Sequence, residues 1–149
     1  MSLPRLFRSP VRDLRLVSEA AILLAAAGVL IQTRPFARIA RRLGEHMAET
    51  PASAAQPEIA EARRIRWAVR AAAKRLPWKP ICLPQAVAAT WMLRRRGIQS
   101  TLYLGVDGVQ GFNAHAWVRV GRVVVTGAPE HRRFSVVSTF AWKPGLPRP

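Results

Sequence analysis

The stretch Lys79-Pro80-Ile81-Cys82-Leu83-Pro84-Gln85-Ala86 contains the only cysteine of the chain. The residue before a proline avoids the α region, whereas a proline such as Pro84 is tolerated in a first helical turn. The stretch therefore predicts a helix that begins at Cys82 and ends at Arg94-Arg95-Arg96-Gly97, where basic residues and a glycine suit a helix C-terminus. Unpaired amide hydrogens and the dipole at a helix N-terminus favour the thiolate, the nucleophilic form of cysteine.

A histidine follows in Phe112-Asn113-Ala114-His115-Ala116-Trp117-Val118, where apolar residues alternate as in a β-strand. Cysteine catalysis needs a base that meets the thiol, and a histidine on a strand beside the helix provides one. The other histidines are weaker candidates, since His46 falls in a predicted helix and His131 in a predicted turn. The alternative interpretation is structural, with Cys82 as a small buried residue and His115 as a surface residue.

A third group should orient the imidazole. Asp107 lies in a predicted turn before His115, and Glu130 lies beyond the hairpin that follows it. We favour Glu130 and keep Asp107 as the alternative. Gln85 is interpreted as a solvated residue that also has the position to line the site. One cysteine and three scattered histidines have no paired ligand spacing, and no glycine-rich phosphate loop occurs, so neither a metal nor a cofactor is predicted.

Hydrophobic periodicity divides the chain into a helical first part and a strand-rich second part. A basic lead-in over residues 1–15 precedes predicted helices at 16–32, 36–47, 57–76 and 82–96. Predicted strands follow at 102–106, 114–120, 123–125 and 134–140, with a disordered tail at 144–149. Residues 49–57 resemble a linker, so we predict an N-terminal helical arm and linker at 1–56 and an α+β core at 57–149, in which the Cys82 helix packs on a small antiparallel sheet.

The formal charge of +16 comes mainly from arginine, which supplies 24 − 3 = 21 of the cations. Such a charge attracts anions. A basic nucleic-acid- or membrane-binding module without catalysis is therefore the competing function class. Aromatic residues are not interleaved with the basic ones as a base-stacking surface requires, so no specific nucleic acid is predicted.

The longest apolar run, residues 20–31, is shorter than the roughly 20 residues of a membrane-spanning helix. Arginines flank this run on both sides, which leaves peripheral membrane contact open. The early residues lack the order of a signal peptide, and a single cysteine cannot form an internal disulfide. The expected location is the cytoplasm.

The chain resembles the leader-peptidase part of lasso-peptide biosynthesis B proteins, which are transglutaminase-like cysteine peptidases. The resemblance covers most of the chain. Its matching pieces are Glu19 to Gln32 followed by Arg34-Pro35-Phe36, then Cys82-Leu83-Pro84-Gln85-Ala86, Leu93-Arg94-Arg95-Arg96-Gly97-Ile98 and His115-Ala116-Trp117-Val118-Arg119-Val120-Gly121-Arg122.

The resemblance implies a transglutaminase-like or papain-like core in which Cys82 is the nucleophile and His115 the general base and acid. It implies removal of the leader from a ribosomally made precursor, so that a separate ATP-dependent cyclase can close the ring. The family's acidic third residue falls near Val125-Thr126-Gly127-Ala128-Pro129-Glu130, which contains Glu130 but no aspartate. Residues 1–56 are too short and too helical for a winged-helix leader-recognition module, so the split type with a separate leader-binding partner is expected. Transfer of the acyl group to an amine remains an alternative reaction on the same fold.

Overall fold

The computed structural model describes residues 10–108 and 113–146. Within these ranges the chain forms four α-helices and a short 3-10 helix at Glu130–Arg133. The helices are α1 (Pro10–Thr33), α2 (Phe36–Leu43), α3 (Gln56–Arg75) and α4 (Cys82–Arg95). The predicted start of the central helix at Cys82 is confirmed.

The second half of the chain contributes most of an antiparallel sheet whose strand order is β1-β5-β2-β3-β4. The strands are β1 (Glu45–His46), β2 (Ser100–Asp107), β3 (Asn113–Val120), β4 (Val123–Thr126) and β5 (Ser135–Trp142). A two-residue turn at Gly121-Arg122 joins β3 to β4, as predicted. Helices that precede and cover an antiparallel sheet confirm the α+β class.

Helix α4 is the centre of the packing. Seven of its residues are buried, because small and apolar side chains occupy nearly every direction around its axis: Ala86, Val87, Ala88, Ala89, Thr90, Met92 and Leu93. It packs against α1 and α3 on one side and across β3 on the other. The start of α4 therefore lies beside the strand that carries His115.

Helix α1 is longer than predicted. Within the described residues it is already helical at Pro10, whereas the predicted helix starts at residue 16. Its buried residues form one stripe, Leu16, Ala20, Leu24 and Ala27. At 24 residues, with a mean hydropathy of 2.0 over its most apolar 18-residue window, α1 is long and apolar enough to cross a membrane by length and composition. The twelve-residue apolar run therefore underestimated the length of this helix. Residues 1–9 lie outside the described residues.

The segment between α2 and α3 contains the short strand β1 and is hydrogen-bonded to the sheet, so it is not a free linker. His46 lies in β1, paired with Phe140 of β5, and not in a helix, since α2 ends at Leu43. Thr50 is buried and its hydroxyl lies 2.7 Å from that of Thr101 on β2. The predicted boundary at residues 56 and 57 falls at the start of α3, and the hydrophobic core is continuous across it.

Two predicted loop regions fall at the edges of the described residues. The turn predicted at Asp107-Gly108 leads into residues 109–112, which lie outside the described residues. In the predicted disordered tail, Pro144 to Leu146 instead form a turn, in which the Leu146 N–H donates to the Lys143 carbonyl at 3.3 Å. Residues 147–149 lie outside the described residues.

Candidate active site

Cys82 is the first residue of α4, and the connector before it is fastened by hydrogen bonds. The Lys79 ammonium donates to the Lys74 carbonyl at 2.8 Å, and the Lys79 backbone adopts a φ of 47°. The side-chain amide of Gln85 donates to the Pro80 carbonyl at 2.8 Å. Gln85 is therefore half-buried and holds the start of the helix, rather than being a solvated residue.

The first turn of α4 offers amide hydrogens beside the thiol. In an α-helix the first N–H groups have no acceptor within the helix. Here the N–H groups of Cys82 and Leu83 occupy those positions, Pro84 has no N–H, and the Gln85 N–H bonds back to the Ile81 carbonyl at 3.4 Å. The chain thus places two donors where an oxyanion forms when a thiolate attacks a carbonyl.

His115 has a defined tautomer. Its Nε2 lies 2.9 Å from the carbonyl oxygen of Gly127, and a carbonyl can only accept, so Nε2 carries the hydrogen. In the neutral ring Nδ1 is then the basic nitrogen. The imidazole also stacks on Phe134, with ring centroids 4.8 Å apart, and on Trp117 at 5.9 Å. The ring is held by one hydrogen bond and two aromatic neighbours.

Gly127 can present its carbonyl to His115 because it has no side chain. Its φ is +85°, in the left-handed region. A Cβ there would lie 2.6 Å from the Trp117 Cβ, 2.8 Å from the Ala116 carbonyl oxygen and 3.0 Å from His115 Nε2. Sequence reasoning missed Gly127, because a contact made by a backbone carbonyl leaves no trace in residue type. The available signal was a glycine directly after a strand that pairs with the histidine strand.

A second glycine makes room for the aromatic neighbours of His115. Gly105 on β2 pairs with His115 on β3. A Cβ at Gly105 would lie 2.8 Å from the Phe134 Cβ and 2.8 Å from the Trp117 ring. The same two side chains stack on His115, so Gly105 allows them to close around the imidazole.

Cys82 and His115 line one pocket of about 270 Å³. Glu130 lines the same pocket, as do Arg66, Arg70, Gln85, Val125, Thr126, Gly127 and Ala128. The Thr126 hydroxyl is buried and has no hydrogen-bond partner in the described part of the chain. The structure therefore brings together the cysteine and histidine that lie far apart in sequence.

The two candidates for the third group lie in different places. Asp107 forms an ion pair with Arg133 at 3.5 Å and is not among the residues that line the pocket. Glu130 is exposed in the 3-10 helix and lines the pocket, while the Nε2 hydrogen bond of His115 goes to Gly127. The role of Glu130 as third catalytic residue stays a prediction. The group observed to orient the ring is a backbone carbonyl.

His131, set aside as a turn residue, lies close to the site. Its ring is 5.9 Å from that of Trp117. Burial lowers the pKa of His131, and the charges of Arg132 and His115 lower it further, while Glu130 acts in the opposite direction. The neutral form of His131 is thus favoured next to His115. Among the described residues, no group of three His, Cys, Asp or Glu side chains is arranged to hold a metal ion.

A thiol at a helix N-terminus facing a strand histidine, in an α+β fold, is the arrangement of enzymes that pass acyl groups through a cysteine. The sequence profile of the Transglutaminase-like superfamily matches residues 22–139. The chain belongs to this superfamily, which includes cysteine peptidases and whose members commonly use a Cys-His-Asp site. No curated protein and no solved structure shows a significant match to the chain.

Proposed function

We propose that this chain is a cysteine peptidase that removes the leader peptide from a ribosomally synthesised lasso-peptide precursor before ring closure. The main observation in support of peptidase chemistry is that Cys82 and His115 line the same pocket. Membership of the Transglutaminase-like superfamily supports acyl transfer through a thiol. Support for the lasso precursor comes from the resemblance in the motifs around Cys82, Leu93 to Ile98, and His115 to Arg122.

The proposed reaction begins with attack of the Cys82 thiolate on the scissile carbonyl carbon. The proton of the thiol passes to Nδ1 of His115, because Nε2 already donates to the Gly127 carbonyl. Electron density on the former carbonyl oxygen is stabilised by the N–H groups of Cys82 and Leu83. The His115 imidazolium then protonates the leaving amine as the C–N bond breaks.

A thioester between Cys82 and the leader remains after the amine departs. Water attacks this thioester, gives a proton to His115 and forms the leader's carboxylic acid as the thiolate leaves. The freed amine of the core peptide is the group that a cyclase needs for an isopeptide bond. Attack by an amine instead of water would give the transferase reaction on the same intermediate.

The proposal includes two protein partners and a location. A separate leader-binding protein presents the precursor; residues 10–55 form α1, α2 and β1 together with their connections, and not a winged-helix module. A separate ATP-dependent cyclase consumes the product, and cleavage itself uses no ATP. We place the reaction in the cytoplasm, where the precursor is made and ATP is available.

The test uses the genes beside the one that encodes this chain. The proposal predicts a short precursor, a small leader-binding protein and a cyclase there. The precursor and the leader-binding protein are incubated with this protein or with its Cys82→Ala variant, and the peptides are weighed by mass spectrometry. We expect two fragments whose masses sum to the precursor plus one water, and at least a thousandfold lower rate for Cys82→Ala.

Thermal unfolding of both proteins is the control for folding. Cys82 is partly exposed, so its loss should change the free energy of unfolding by less than about 1 kcal/mol. Cleavage at an undiminished rate by folded Cys82→Ala would contradict the proposal. A fragment that carries an added amine in place of water would assign the chain to acyl transfer instead.

A further inference from the structure

A groove of about 780 Å³ runs along one face of α3. Residues three or four apart share a face of a helix, and here such positions carry cations. The basic residues that line the groove are Arg63, Arg66, Arg70, Lys74 and Arg75. Four of these five side chains are exposed, and Arg66 is half-buried.

The groove adjoins the pocket that contains Cys82 and His115, because Arg66 and Arg70 line both. From Arg63 to Arg75 the helix rises by roughly 18 Å, at 1.5 Å per residue. An extended peptide covers that length with about five residues. A peptide whose scissile bond lies at Cys82 can therefore place neighbouring residues along the groove.

No ion pair within the described residues balances the positive charge of the groove. The sequence from Arg63 to Arg75 contains no acidic residue. Among the carboxylates of residues 10–108 and 113–146, none forms an ion pair with the five basic residues that line the groove. By contrast, Arg64 on the neighbouring face pairs with Glu61 at 3.0 Å.

Like charges one turn apart destabilise a helix, so an uncompensated cationic row on α3 opposes folding. The guanidinium groups of Arg66 and Arg70 have the planar donor geometry that binds carboxylates through two hydrogen bonds. Nucleic acid fits less well, because stacking of successive bases needs several aromatic side chains and Trp67 is the aromatic residue in the groove lining.

We infer that the α3 groove binds an acidic segment of the substrate peptide, with aspartate or glutamate side chains within about five residues of the bond that is cut. This inference rests on the proposed function for the position of the scissile bond. It assigns Arg70 and Lys74 as substrate-binding residues. Their contribution is to affinity and to the choice of peptide rather than to the reacting atoms.

The test measures binding without turnover. A fluorescein-labelled dodecapeptide of glycine and serine with four glutamates is titrated with the Cys82→Ala protein, and fluorescence anisotropy gives the Kd at low and at physiological salt. The same peptide with four glutamines is the matched probe. We expect the glutamate peptide to bind roughly tenfold more tightly, with the difference shrinking as salt increases.

Two double variants with equal loss of charge locate the binding. Arg70→Gln/Lys74→Gln should weaken binding of the glutamate peptide by roughly tenfold. Arg12→Gln/Arg38→Gln removes exposed charges from α1 and α2 and should change the Kd less than about twofold. With the Cys82-containing protein, the glutamate peptide should also slow alkylation of Cys82 by iodoacetamide, because the groove adjoins the thiol pocket.

Three results would overturn the inference: equal affinity for the two peptides, an equal loss in the two double variants, or tighter binding of a single-stranded DNA of the same charge that the Arg70→Gln/Lys74→Gln change abolishes. The last result would define a nucleic-acid groove instead. These measurements do not depend on cleavage. Absence of precursor cleavage would contradict the proposed function and would not affect the binding result. Absence of preferential binding of the glutamate peptide would contradict the inference about the groove and would not affect the proposed function.

Discussion

The two ends of helix α4 differ in whether their polar groups are paired within the protein. At the N-terminus, Cys82 is partly exposed, lines a pocket and lies next to N–H groups that have no acceptor in the helix. At the C-terminus, Arg96 is closely paired: it binds both carboxylate oxygens of Glu19 at 2.8 and 3.0 Å and one oxygen of Glu61 at 2.9 Å. One end leaves N–H groups without a helical acceptor beside a pocket, and the other end pairs its polar groups within the protein.

The difference shows what fixes the site in place. Glu19 belongs to α1 and Glu61 to α3, so Arg96 ties three helices together at the end away from the thiol. The N-terminal end is then free to leave its polar groups unpaired, because the position of α4 is set elsewhere. Replacement of Cys82 itself should alter chemistry with little loss of stability, and replacement of Arg96 should do the reverse.

The largest expected effect follows from Gly127→Ala, which disturbs the group that orients His115. The added Cβ would lie within 3.0 Å of Trp117, Ala116 and His115 atoms. We expect precursor cleavage per folded molecule to fall at least about a hundredfold, because misplacing a catalytic group by about 1 Å costs that much. Strain and overpacking should also lower the free energy of unfolding by about 3 kcal/mol.

Gly97→Ala is the matched control for Gly127→Ala. Gly97 also has a positive φ, +68°, but a Cβ there meets nothing within 4 Å. The free energy of unfolding of Gly97→Ala should fall by about 1 kcal/mol, because alanine is strained at this backbone conformation, and its cleavage rate should be unchanged. The cleavage rate of Gly127→Ala is measured at a temperature at which circular dichroism shows the variant to be folded. A rate within threefold of that of the unchanged protein would show that Gly127 does not position His115.

At the other end, Arg96→Met should destabilise the fold and spare the chemistry. The change leaves Glu19 and Glu61 without this partner, although both are only partly buried. We expect the free energy of unfolding to fall by about 2 kcal/mol, less than for a fully buried pair. Urea unfolding gives the loss, and the rate of Cys82 alkylation per folded molecule should stay unchanged. A lower alkylation rate with intact stability would reverse the assignment of the two ends.

A smaller effect concerns the pH dependence of the Arg96 pairs. The hydrogen bond from Arg96 lowers the pKa of Glu19 below its usual 4.5, against the opposing effect of burial. A lowered pKa in the folded state means that this stabilisation is present above pH 4.5 and is lost as pH falls through the folded-state value. The stability difference between the unchanged protein and Arg96→Met should therefore shrink between pH 6 and pH 3. A difference that stays constant over this range would contradict the assignment.

The fold was predictable where proline, glycine and hydrophobic periodicity act locally. Pro80, Pro84 and Gly97 determine the bounds of α4, and the alternation around Ala116 and Val118 indicates β3. The two-residue strand β1 was missed because it exists only through pairing with β5. Residues 10–15 of α1 were missed because they were assigned to the basic lead-in, although they are helical.

The candidate site, like the fold, could be predicted only in part from the sequence. Cys82 and His115 were identified because their residue types carry thiol chemistry, and the structure places both in one pocket. The carbonyl of Gly127 was not identified, since its hydrogen bond to His115 is a tertiary contact that residue type does not reveal. Glu130 remains a prediction for the third catalytic residue.

The central claim is that Cys82 and His115 form a reactive pair, and the most direct test is the rate of Cys82 alkylation with and without the imidazole. Since Cys82 is the only cysteine, iodoacetamide reports on it alone. The rate is measured at neutral pH for the unchanged protein and for His115→Ala, with unfolding curves for both. We expect the rate to be roughly tenfold lower in His115→Ala, because the imidazole that accepts the thiol proton is gone. Equal rates in the two folded proteins would contradict the claim.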